Sequence, residues 1–295
     1  MISIIVPVYN GESYIERNFD SLMSQTNLNY EVIYVNDGSS DRTEQILQEI
    51  TAKDARFSYY TIVNQGAAVA RNFGVTHAKY DYVTFLDVDD FLNPDYILKS
   101  KIFLKEDNSD ILVFGCQINN KINKLAITPN AYQRKQFLVE LLTHGGWEIW
   151  GKVFKKSLFR SIQLPAEKIL IGEDAYIFIQ LVLNAQSIKV KQEFLYNYTV
   201  HSQSISHNKS QKTIEDGLYV AEFIAHKLTN IIDKKTIDTM ILLFYSNSLR
   251  RGMLSSKHKY IPFIQSALRM ETLLNLPFKK AVFITVFFMI NKFKR

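Results

Sequence analysis

The first third of the chain alternates between short apolar runs and segments of helical spacing, and no other feature of the sequence constrains the fold as strongly. The apolar runs, which predict buried strands, lie at 2–8, 30–35, 57–63 and 82–86. The segments between them carry apolar residues at helical spacing and lie at 13–24, 43–52 and 66–77. This order predicts an α/β fold with a doubly wound, mostly parallel sheet.

Each of the four predicted strands ends in a polar cluster. The clusters are Tyr9-Asn10, Asp37-Gly38, Asn64-Gln65 and Asp87-Val88-Asp89-Asp90. In a doubly wound sheet, ligands bind in the crevice at the carboxyl ends of the strands. We therefore expect these clusters to line one crevice.

The acidic cluster at 87–90 predicts a binding site for a divalent metal. Carboxylates that follow a buried strand repel one another unless a cation or a ligand offsets their charge. Mg²⁺ or Mn²⁺ bound by one or two carboxylates commonly takes its other ligands from substrate phosphates, which suits a nucleotide diphosphate. The alternative is an acidic turn in which Asp90 caps the following helix, begun at Asn93-Pro94.

The rest of the 295 residues supply a core and a helical C-terminal region. Apolar residues make up 47 % and charged residues 22 % of the chain, so it can bury a core and does not belong to the disordered class. Beyond Asp110 the pattern changes to mixed strands and short helices, and the polar segment 200–211 predicts a linker or a lid. We predict a catalytic domain at 1–210 and a helical appendage at 211–295.

The single cysteine, Cys116, lies in an apolar run and predicts a buried thiol. One cysteine forms no internal disulfide, which favours a reducing compartment. The opening residues 1–8 are too short for a signal peptide, and we expect none. These features predict a cytoplasmic protein.

The C-terminal end is basic and partly apolar. No acidic residue follows Glu271, whereas the basic residues after it are Lys279, Lys280, Lys292, Lys294 and Arg295. The apolar segment 281–290 is shorter than the roughly 20 residues of a spanning helix and suits in-plane insertion among lipid headgroups. We expect peripheral contact with the inner face of the cell membrane. Docking of this helix on its own domain, or a homodimer through the C-terminal helices, are the alternatives.

Five motifs in order resemble glycosyltransferase family 2, a group of inverting enzymes with the GT-A fold. They are Ile5-Val-Pro-Val-Tyr-Asn10, Val35-Asn-Asp-Gly-Ser39, Asn64-Gln-Gly66 continuing to Ala70-Arg-Asn72 and Gly74, Phe85-Leu-Asp-Val-Asp-Asp90, and Gly172-Glu-Asp174. The resemblance covers about residues 2–206. It implies that the protein transfers a sugar from a nucleotide-sugar donor to a hydroxyl of a glycan or lipid-linked glycan, in surface polysaccharide synthesis. We expect the donor to be a UDP-sugar.

The resemblance also implies roles for individual positions. Residues that would contact the donor nucleotide are Pro7, Val8, Tyr9, Asp37, Asn64, Arg71, Asp87 and Val88. Asp37 would accept a hydrogen bond from the base, and the guanidinium of Arg71 would lie along the diphosphate. Asp89 would bind the metal. Asp174 would be the general base, and Glu173 would orient it or bind the acceptor.

The chemistry of glycosyl transfer agrees with these assignments. Cleavage of the bond between the anomeric carbon and the diphosphate puts negative charge on the leaving oxygens, which a metal and Arg71 would stabilise. The acceptor hydroxyl must lose a proton, for which a carboxylate is a suitable base. Direct displacement with one base predicts inversion of the anomeric centre. A helix cap is the alternative interpretation of Gly172-Glu-Asp174.

Two further segments are candidate parts of the site. Trp147 and Trp150 follow Gly145-Gly146 in a stretch that resembles the family's acceptor side, and their indole faces could stack on a sugar; core packing is the alternative. The segment 198–206 resembles one that folds over the diphosphate, and there His201 would reach the metal or the phosphates.

Other classes of protein fit the sequence less well. A nucleotidyltransferase would carry a basic, glycine-rich loop after its first strand, but Tyr9-Asn-Gly-Glu-Ser13 has no lysine or arginine. A non-catalytic relative that binds glycans or scaffolds an assembly would be expected to lose Asp87, Asp89 or Asp174, and all three are present. A dinucleotide-binding dehydrogenase would show a glycine fingerprint after the first strand. We expect no nucleic-acid partner, since only the net charge of +6 suggests one.

Overall fold

The structure, a computed structural model, describes residues 1–119, 121–123, 125–200, 210–249, 258–282 and 284–285. Within these residues the chain divides into two compact units. The first contains residues 1–134, 146–168 and the described part of 177–201. The second contains residues 135–145, 169–176 and the described part of 202–295.

The first unit is built on a mixed, mostly parallel sheet. Its strands are β1 (Ile2–Val8), β2 (Tyr30–Asp37), β3 (Phe57–Ile62), β4 (Tyr82–Phe85), β5 (Phe91–Leu92), β6 (Ile111–Ile118), β7 (Lys121–Ile122), β8 (Asn130–Gln133), β9 (Lys152–Lys155) and β10 (Ser187–Tyr198). The main path through the sheet has the order β3-β2-β1-β4-β9-β6-β10-β5. Strands β3, β2, β1 and β4 are parallel, as is the pair β6 and β10.

Helices alternate with the parallel strands. They are α1 (Ile15–Met23), α2 (Thr43–Thr51), α3 (Ala67–His77), α4 (Tyr96–Asp107), α5 (Arg134–His144), α6 (Glu173–Asn184), α7 (Gln211–Leu228), α8 (Lys234–Leu249), α9 (Ile261–Ala267) and α10 (Met270–Leu274). A 3₁₀ helix spans Lys156–Ser161. The α/β fold predicted from the alternation is confirmed, and α7 to α10 form the predicted helical C-terminal region.

The first strands are buried because apolar residues cover both of their faces. Every residue of β2 is buried, which is typical of a parallel strand between helical layers. Helix α3 approaches β1 closely at Gly74, where a Cβ would lie 2.4 Å from Cγ2 of Ile5. This glycine therefore sets the distance between the helix and the sheet.

The predicted elements differ from the observed ones by a few residues at their ends. An aspartate directly before a predicted helix, as Asp41 is, commonly caps it, but the N-cap position of α2 is Arg42. The Asp41 carboxylate instead accepts hydrogen bonds from the backbone N–H of Thr43, at 3.0 Å, and of Glu12, at 3.2 Å. It therefore fixes the loop before α2 and also the loop after β1. Cys116 is buried, as predicted.

The second unit is helical. Helix α7 packs on α8, and α8 also contacts α9 and α10. The hydroxyl of Ser210 caps α7 by accepting a hydrogen bond from the backbone N–H of Thr213. No helix in the described ranges is both long enough and apolar enough to cross a membrane. The domain boundary near residue 210 stays a prediction, and the predicted linker 200–211 and apolar segment 281–290 lie largely outside the described residues.

Candidate active site

The sheet order places a candidate site at the end of β1. Strand β1 pairs with β2 on one side and with β4 on the other, so the chain reverses its direction of travel across the sheet at this point. Crevices at the carboxyl ends of strands beside such a switch point are the usual ligand sites of doubly wound folds. The predicted polar clusters follow β1, β2, β3 and β4 at this edge.

The loops after β1 and β2 are joined by hydrogen bonds. The Asn10 N–H donates to Ser39 Oγ at 2.9 Å, and the side chain of Asn10 accepts from the Ser40 N–H at 2.9 Å. Asn10 adopts a left-handed backbone conformation, with φ of 49°, which asparagine tolerates better than most residues. Its neighbour, the exposed Tyr9, is 53 % accessible.

Val8 and Val88, both predicted donor contacts, approach each other at Gly11. A Cβ built on Gly11 would lie 2.6 Å from Cγ1 of Val8 and 3.4 Å from Cγ1 of Val88. Only glycine leaves room for the loops after β1 and β4 to pack together here.

The carboxylate of Asp37 fixes the loop that follows β3. Its two oxygens accept hydrogen bonds from the backbone N–H groups of Gln65 and Gly66, each at 2.8 Å. Asp37 is buried, so these bonds offset the cost of burying the carboxylate. Each carboxylate oxygen has a second lone pair, so the predicted contact with a base is chemically compatible with this arrangement and stays a prediction.

A lysine that the sequence analysis did not single out lies against this loop. The ammonium of Lys168 donates a hydrogen bond to Asn64 Oδ1, and it lies 5.5 Å from the centroid of the Tyr9 ring. The Lys168 side chain lies over Gly66. No sequence motif surrounds Lys168, and only the fold places it here.

Arg71 and Asp87 form a largely buried ion pair. Nη2 of Arg71 donates to Oδ1 of Asp87 at 2.8 Å, and the arginine side chain is 8 % exposed against 27 % for the aspartate. Arg71 lies on α3 and Asp87 follows β4, so the ion pair connects this helix to the loop after this strand. A guanidinium fixed in this way is already ordered before a phosphate binds, so binding costs it little further side-chain entropy.

Two residues far away in the sequence fix the backbone of the turn Asp87–Asp90. The buried amide of Asn18 donates to the carbonyl oxygens of Asp87, at 3.3 Å, and Asp90, at 3.2 Å. The hydroxyl of Tyr196, on β10, accepts from the N–H of Asp87 at 3.2 Å and donates to Oδ2 of Asp90 at 2.6 Å. The turn is therefore rigid before any ligand binds.

The side chain of Asp90 stabilises this turn through hydrogen bonds within the protein. Its Oδ1 accepts the N–H of Thr199 at 2.7 Å, so the prediction that it caps the next helix is wrong; the N-cap of α4 is Asp95. Burial, followed by the charge of Asp87, raises the pKa of Asp90 to about 8. The carboxyl is therefore mostly protonated at neutral pH.

Asp89 is the half-buried third carboxylate of the turn. Among the described residues, no group of three or more histidine, cysteine or acidic side chains is arranged to bind a metal by itself. Asp90 is bonded to Tyr196 and Thr199, and Asp87 to Arg71. Binding of a Mg²⁺ or Mn²⁺ ion by Asp89, with the other ligands from phosphates and water, stays a prediction.

The two tryptophans have different surroundings. Trp150 stacks on Tyr196, with ring centroids 4.5 Å apart, and on Tyr198, at 5.5 Å. It packs against the core, as the alternative interpretation predicts. Trp147 is half-buried and follows Gly146, whose φ of 94° favours glycine. Contact of either ring with a sugar stays a prediction.

The acidic pair Glu173-Asp174 belongs to the second unit, in the first turn of α6. Gly172, with φ of 92°, precedes it, and Tyr176 stacks on Phe223 of α7 with centroids 3.9 Å apart. The positive end of the helix dipole stabilises carboxylates at this position. The helix-cap alternative predicts the same placement, so the role of Asp174 as a base stays a prediction. His201 lies outside the described residues.

Comparison with known proteins identifies the family. The family model of glycosyl transferase family 2 matches residues 3–162. The chain is 29 % identical over 262 residues to the putative glycosyltransferase EpsH of Bacillus subtilis, a match that covers 83 % of this chain and 75 % of EpsH. It is 32 % identical over 225 residues to an uncharacterized glycosyltransferase of Haemophilus influenzae, with 72 % of this chain and 85 % of that protein covered.

A longer relative is glycosyltransferase GlyA of Streptococcus pneumoniae, 30 % identical over 229 residues. That match covers 72 % of this chain and 32 % of GlyA, so the chain spans about a third of its length.

Solved structures establish the fold. S. aureus TarS 1–349, in complex with UDP-GlcNAc, has a TM-score of 0.70 at 23 % identity, covering 95 % of this chain and 82 % of that one. The mannosyltransferase PcManGT from Pyrobaculum calidifontis, in complex with GDP-Man and Mn²⁺, has a TM-score of 0.58 at 14 % identity, covering 100 % and 87 %. The fold is that of GT-A glycosyltransferases, as predicted. The chain belongs to glycosyl transferase family 2.

Proposed function

We propose that this protein is a metal-dependent, inverting glycosyltransferase that moves a sugar from a UDP-sugar to a hydroxyl of a glycan or lipid-linked glycan. The observation that carries the proposal is the rigid turn Asp87–Asp90 beside the Arg71–Asp87 ion pair, at the switch point of the sheet. A half-buried carboxylate and a fixed guanidinium at one crevice suit a diphosphate with its metal.

The donor site has two halves in this proposal. The base half consists of Tyr9, Asp37, Asn64 and Gly66, with Pro7 and Val8 beneath it. The phosphate half consists of Arg71, Asp87, Val88 and Asp89. TarS binds UDP-GlcNAc in its crystal structure, which supports a UDP-sugar as the donor.

Asp89 would bind the divalent metal in the phosphate half. The metal would neutralise charge on the diphosphate leaving group, and the Arg71 guanidinium would stabilise the same charge from α3. Asp87 orients Arg71 through the 2.8 Å ion pair and keeps one oxygen for the ribose or the sugar. PcManGT is described in complex with Mn²⁺, which supports a metal in this half. His201 would add a contact to the metal or the phosphates.

Asp174 would take the proton of the acceptor hydroxyl as it attacks the anomeric carbon, and Glu173 would orient the base or the acceptor. Both acids lie in the first turn of α6, and a carboxylate within reach of a hydroxyl is a suitable general base. One base and one direct displacement give a product of inverted anomeric configuration. Trp147 and Trp150 would contact the acceptor.

The test of this function is a donor-hydrolysis and transfer assay. UDP-sugars are offered singly, with Mn²⁺ and with a chelator, and release of UDP is measured. We expect turnover of one UDP-sugar that requires the metal. Asp174→Asn should keep UDP affinity and lose transfer by about 10²–10⁴-fold, whereas Asp20→Asn, at an exposed position of α1, should behave as wild type. Undiminished transfer by Asp174→Asn would remove this residue as the base.

The setting of the reaction is proposed to be surface polysaccharide synthesis at the inner face of the cell membrane. The end of the second unit exposes several large apolar side chains; Met270, Leu274 and Phe278 are 73 %, 78 % and 81 % accessible. Lys279 and Lys280 follow them directly. Apolar side chains beside lysines suit insertion into an anionic headgroup layer.

Flotation with vesicles that contain anionic lipid tests the membrane contact. Leu274→Glu with Phe278→Glu should abolish flotation, because both side chains become charged. Ile122→Glu is the matched control, since Ile122 is 69 % accessible on β7 of the first unit. Equal flotation of the double variant would refute the contact, and loss of a dimer in sedimentation would show that these residues pair two copies of the chain instead.

A further inference from the structure

Lys168 occupies a defined position in the base half. Its Cγ lies 3.1 Å from the position of a Cβ built on Gly66, so the aliphatic chain covers this glycine. Its Nζ donates to Asn64 Oδ1 and lies 5.5 Å from the centroid of the Tyr9 ring. One side chain thus contacts the loops after both β1 and β3.

The charge of Lys168 has no carboxylate partner within the described parts of the chain. Other lysines of the first unit form ion pairs, such as Lys99 with Glu193 at 2.7 Å and Lys191 with Asp107 at 2.9 Å. Lys168 instead contacts an amide oxygen and an aromatic face, both of them neutral. Exchange of the amide oxygen for a ligand oxygen would therefore cost little, because no ion pair has to break.

Gly66 contacts both Lys168 and Asp37. The Gly66 N–H donates to Oδ2 of Asp37 at 2.8 Å, and the lysine chain lies over the same residue. Gly66 has a φ of 93°, a conformation that other residues rarely adopt. The base half therefore presents an acceptor, the Asp37 carboxylate, and a donor, the Lys168 ammonium, on the two sides of one glycine.

We propose that Lys168 selects the base of the donor nucleotide by donating a hydrogen bond to a carbonyl oxygen of the pyrimidine. This inference rests on the proposed function, which places the base beside Tyr9, Asp37 and Asn64. Uracil presents an N–H flanked by carbonyl oxygens, which matches an acceptor and a donor. At the position of the O4 carbonyl of uracil, cytosine presents an amino group, which would face Lys168, and its unprotonated ring nitrogen would face Asp37, so both contacts would be repulsive. Lys168 is thus a specificity residue for a uridine nucleotide over a cytidine nucleotide.

The experiment compares the affinities for UDP and CDP, measured calorimetrically with Mn²⁺. Wild type should prefer UDP. Lys168→Met keeps the aliphatic chain over Gly66 and removes the donor, so it should weaken UDP binding about tenfold, the effect of one hydrogen bond to a charged group. It should not weaken CDP binding, because the contact that it removes there is repulsive. Lys105→Met, at an exposed position in the last turn of α4, should match wild type.

Three results would overturn the inference. Equal weakening of UDP and CDP by Lys168→Met would show that the ammonium serves the diphosphate. Unchanged affinities with a wild-type melting temperature would show that it does not contact the nucleotide. Wild type that binds neither UDP nor CDP would refute the proposed function itself, and this inference with it.

Discussion

The two halves of the donor site are fixed by different means. In the base half, the carboxylate of Asp37 bonds the backbone of residues 65 and 66, which follow the neighbouring strand. In the phosphate half, the turn Asp87–Asp90 depends on Asn18, 69 and 72 positions away, and on Tyr196, 109 and 106 positions away. One half thus uses a contact between the loops of adjacent strands, and the other uses buried side chains that are distant in the sequence.

This difference predicts different vulnerabilities. Loss of Asp37 should affect the nucleotide directly, because the carboxylate that shapes the loop is also the proposed partner of the base. Loss of a network residue should affect the metal and the diphosphate indirectly, through the backbone of the turn.

The largest expected effect is a pH dependence of stability that belongs to the phosphate half. Burial and the charges of Asp87 and Asp89 raise the pKa of Asp90 to about 8, from the 3.8 of an ordinary aspartate. The unfolded chain therefore releases this proton first as pH rises, and the contribution of Asp90 to the free energy of unfolding falls between about pH 4 and pH 8. Within that window the loss approaches about 1.4 kcal/mol per pH unit.

Asp90→Asn tests this dependence because the amide does not titrate yet can still accept the Thr199 N–H. Urea unfolding in a chelator, at about pH 5 and about pH 8, should show that wild type loses more stability than the variant as pH rises. Parallel profiles would mean that Asp90 titrates normally in the folded protein.

The second-largest expected effect distinguishes the two halves by the dependence of UDP binding on the metal. Asp89→Ala should weaken UDP binding in Mn²⁺ by about 100-fold, because it removes the protein ligand of the metal. In a chelator the variant and wild type should bind UDP equally, since the base half is untouched. Asp20→Ala, at an exposed position of α1, is the control for loss of one negative charge. Mn²⁺-dependent binding that survives Asp89→Ala would place the metal elsewhere.

The base half was more accessible to prediction from sequence than the phosphate half. Asp37 and Asn64 follow predicted strands, and neighbouring parallel strands bring their carboxyl ends together whatever the rest of the chain does. The acidic turn was also identified from its position after β4. Its partners were not, because Asn18 looks like any polar residue of an amphipathic helix and Tyr196 like any aromatic residue of a strand.

Lys168 and Asp90 illustrate the same limit of prediction from sequence in two different ways. Lys168 has no pattern around it in the sequence, and only the packing of its chain over Gly66 brings it to the site. Asp90 has a strong local pattern, an acid before a helix, which predicts a cap. Two tertiary hydrogen bonds, from Tyr196 and Thr199, bind the carboxyl instead. A local sequence pattern does not predict the role of a residue whose hydrogen-bond partners are distant in the sequence.

A smaller effect is expected for Asp37→Asn in the base half. The amide can accept from one of the two N–H groups but points its own donor at the other, which costs about 1–3 kcal/mol. UDP affinity should fall about tenfold or more, and the fall should be the same with Mn²⁺ and with a chelator. A loss seen only with Mn²⁺ would contradict the division into halves.

The smallest effect, and the sharpest test of the comparison, is expected for Tyr196→Phe. The variant keeps the ring that stacks on Trp150 at 4.5 Å but removes the hydroxyl between the Asp87 N–H and the Asp90 carboxyl. We expect about 1 kcal/mol lower stability and about threefold to tenfold weaker UDP binding that appears only with Mn²⁺. Tyr59→Phe is the control, since no hydrogen bond of its hydroxyl occurs among the described residues.

The metal dependence is what distinguishes a positioning role of Tyr196 from a general loss of stability. If the hydroxyl fixes the turn, the donor KM of Tyr196→Phe should rise with Mn²⁺ while kcat at saturating donor changes less, because the displaced Asp89 still binds metal once the donor is bound. If affinity falls equally in a chelator, the hydroxyl stabilises the whole unit. Unchanged affinity would mean that the two hydrogen bonds from Asn18 to the carbonyls of Asp87 and Asp90 suffice to fix the turn.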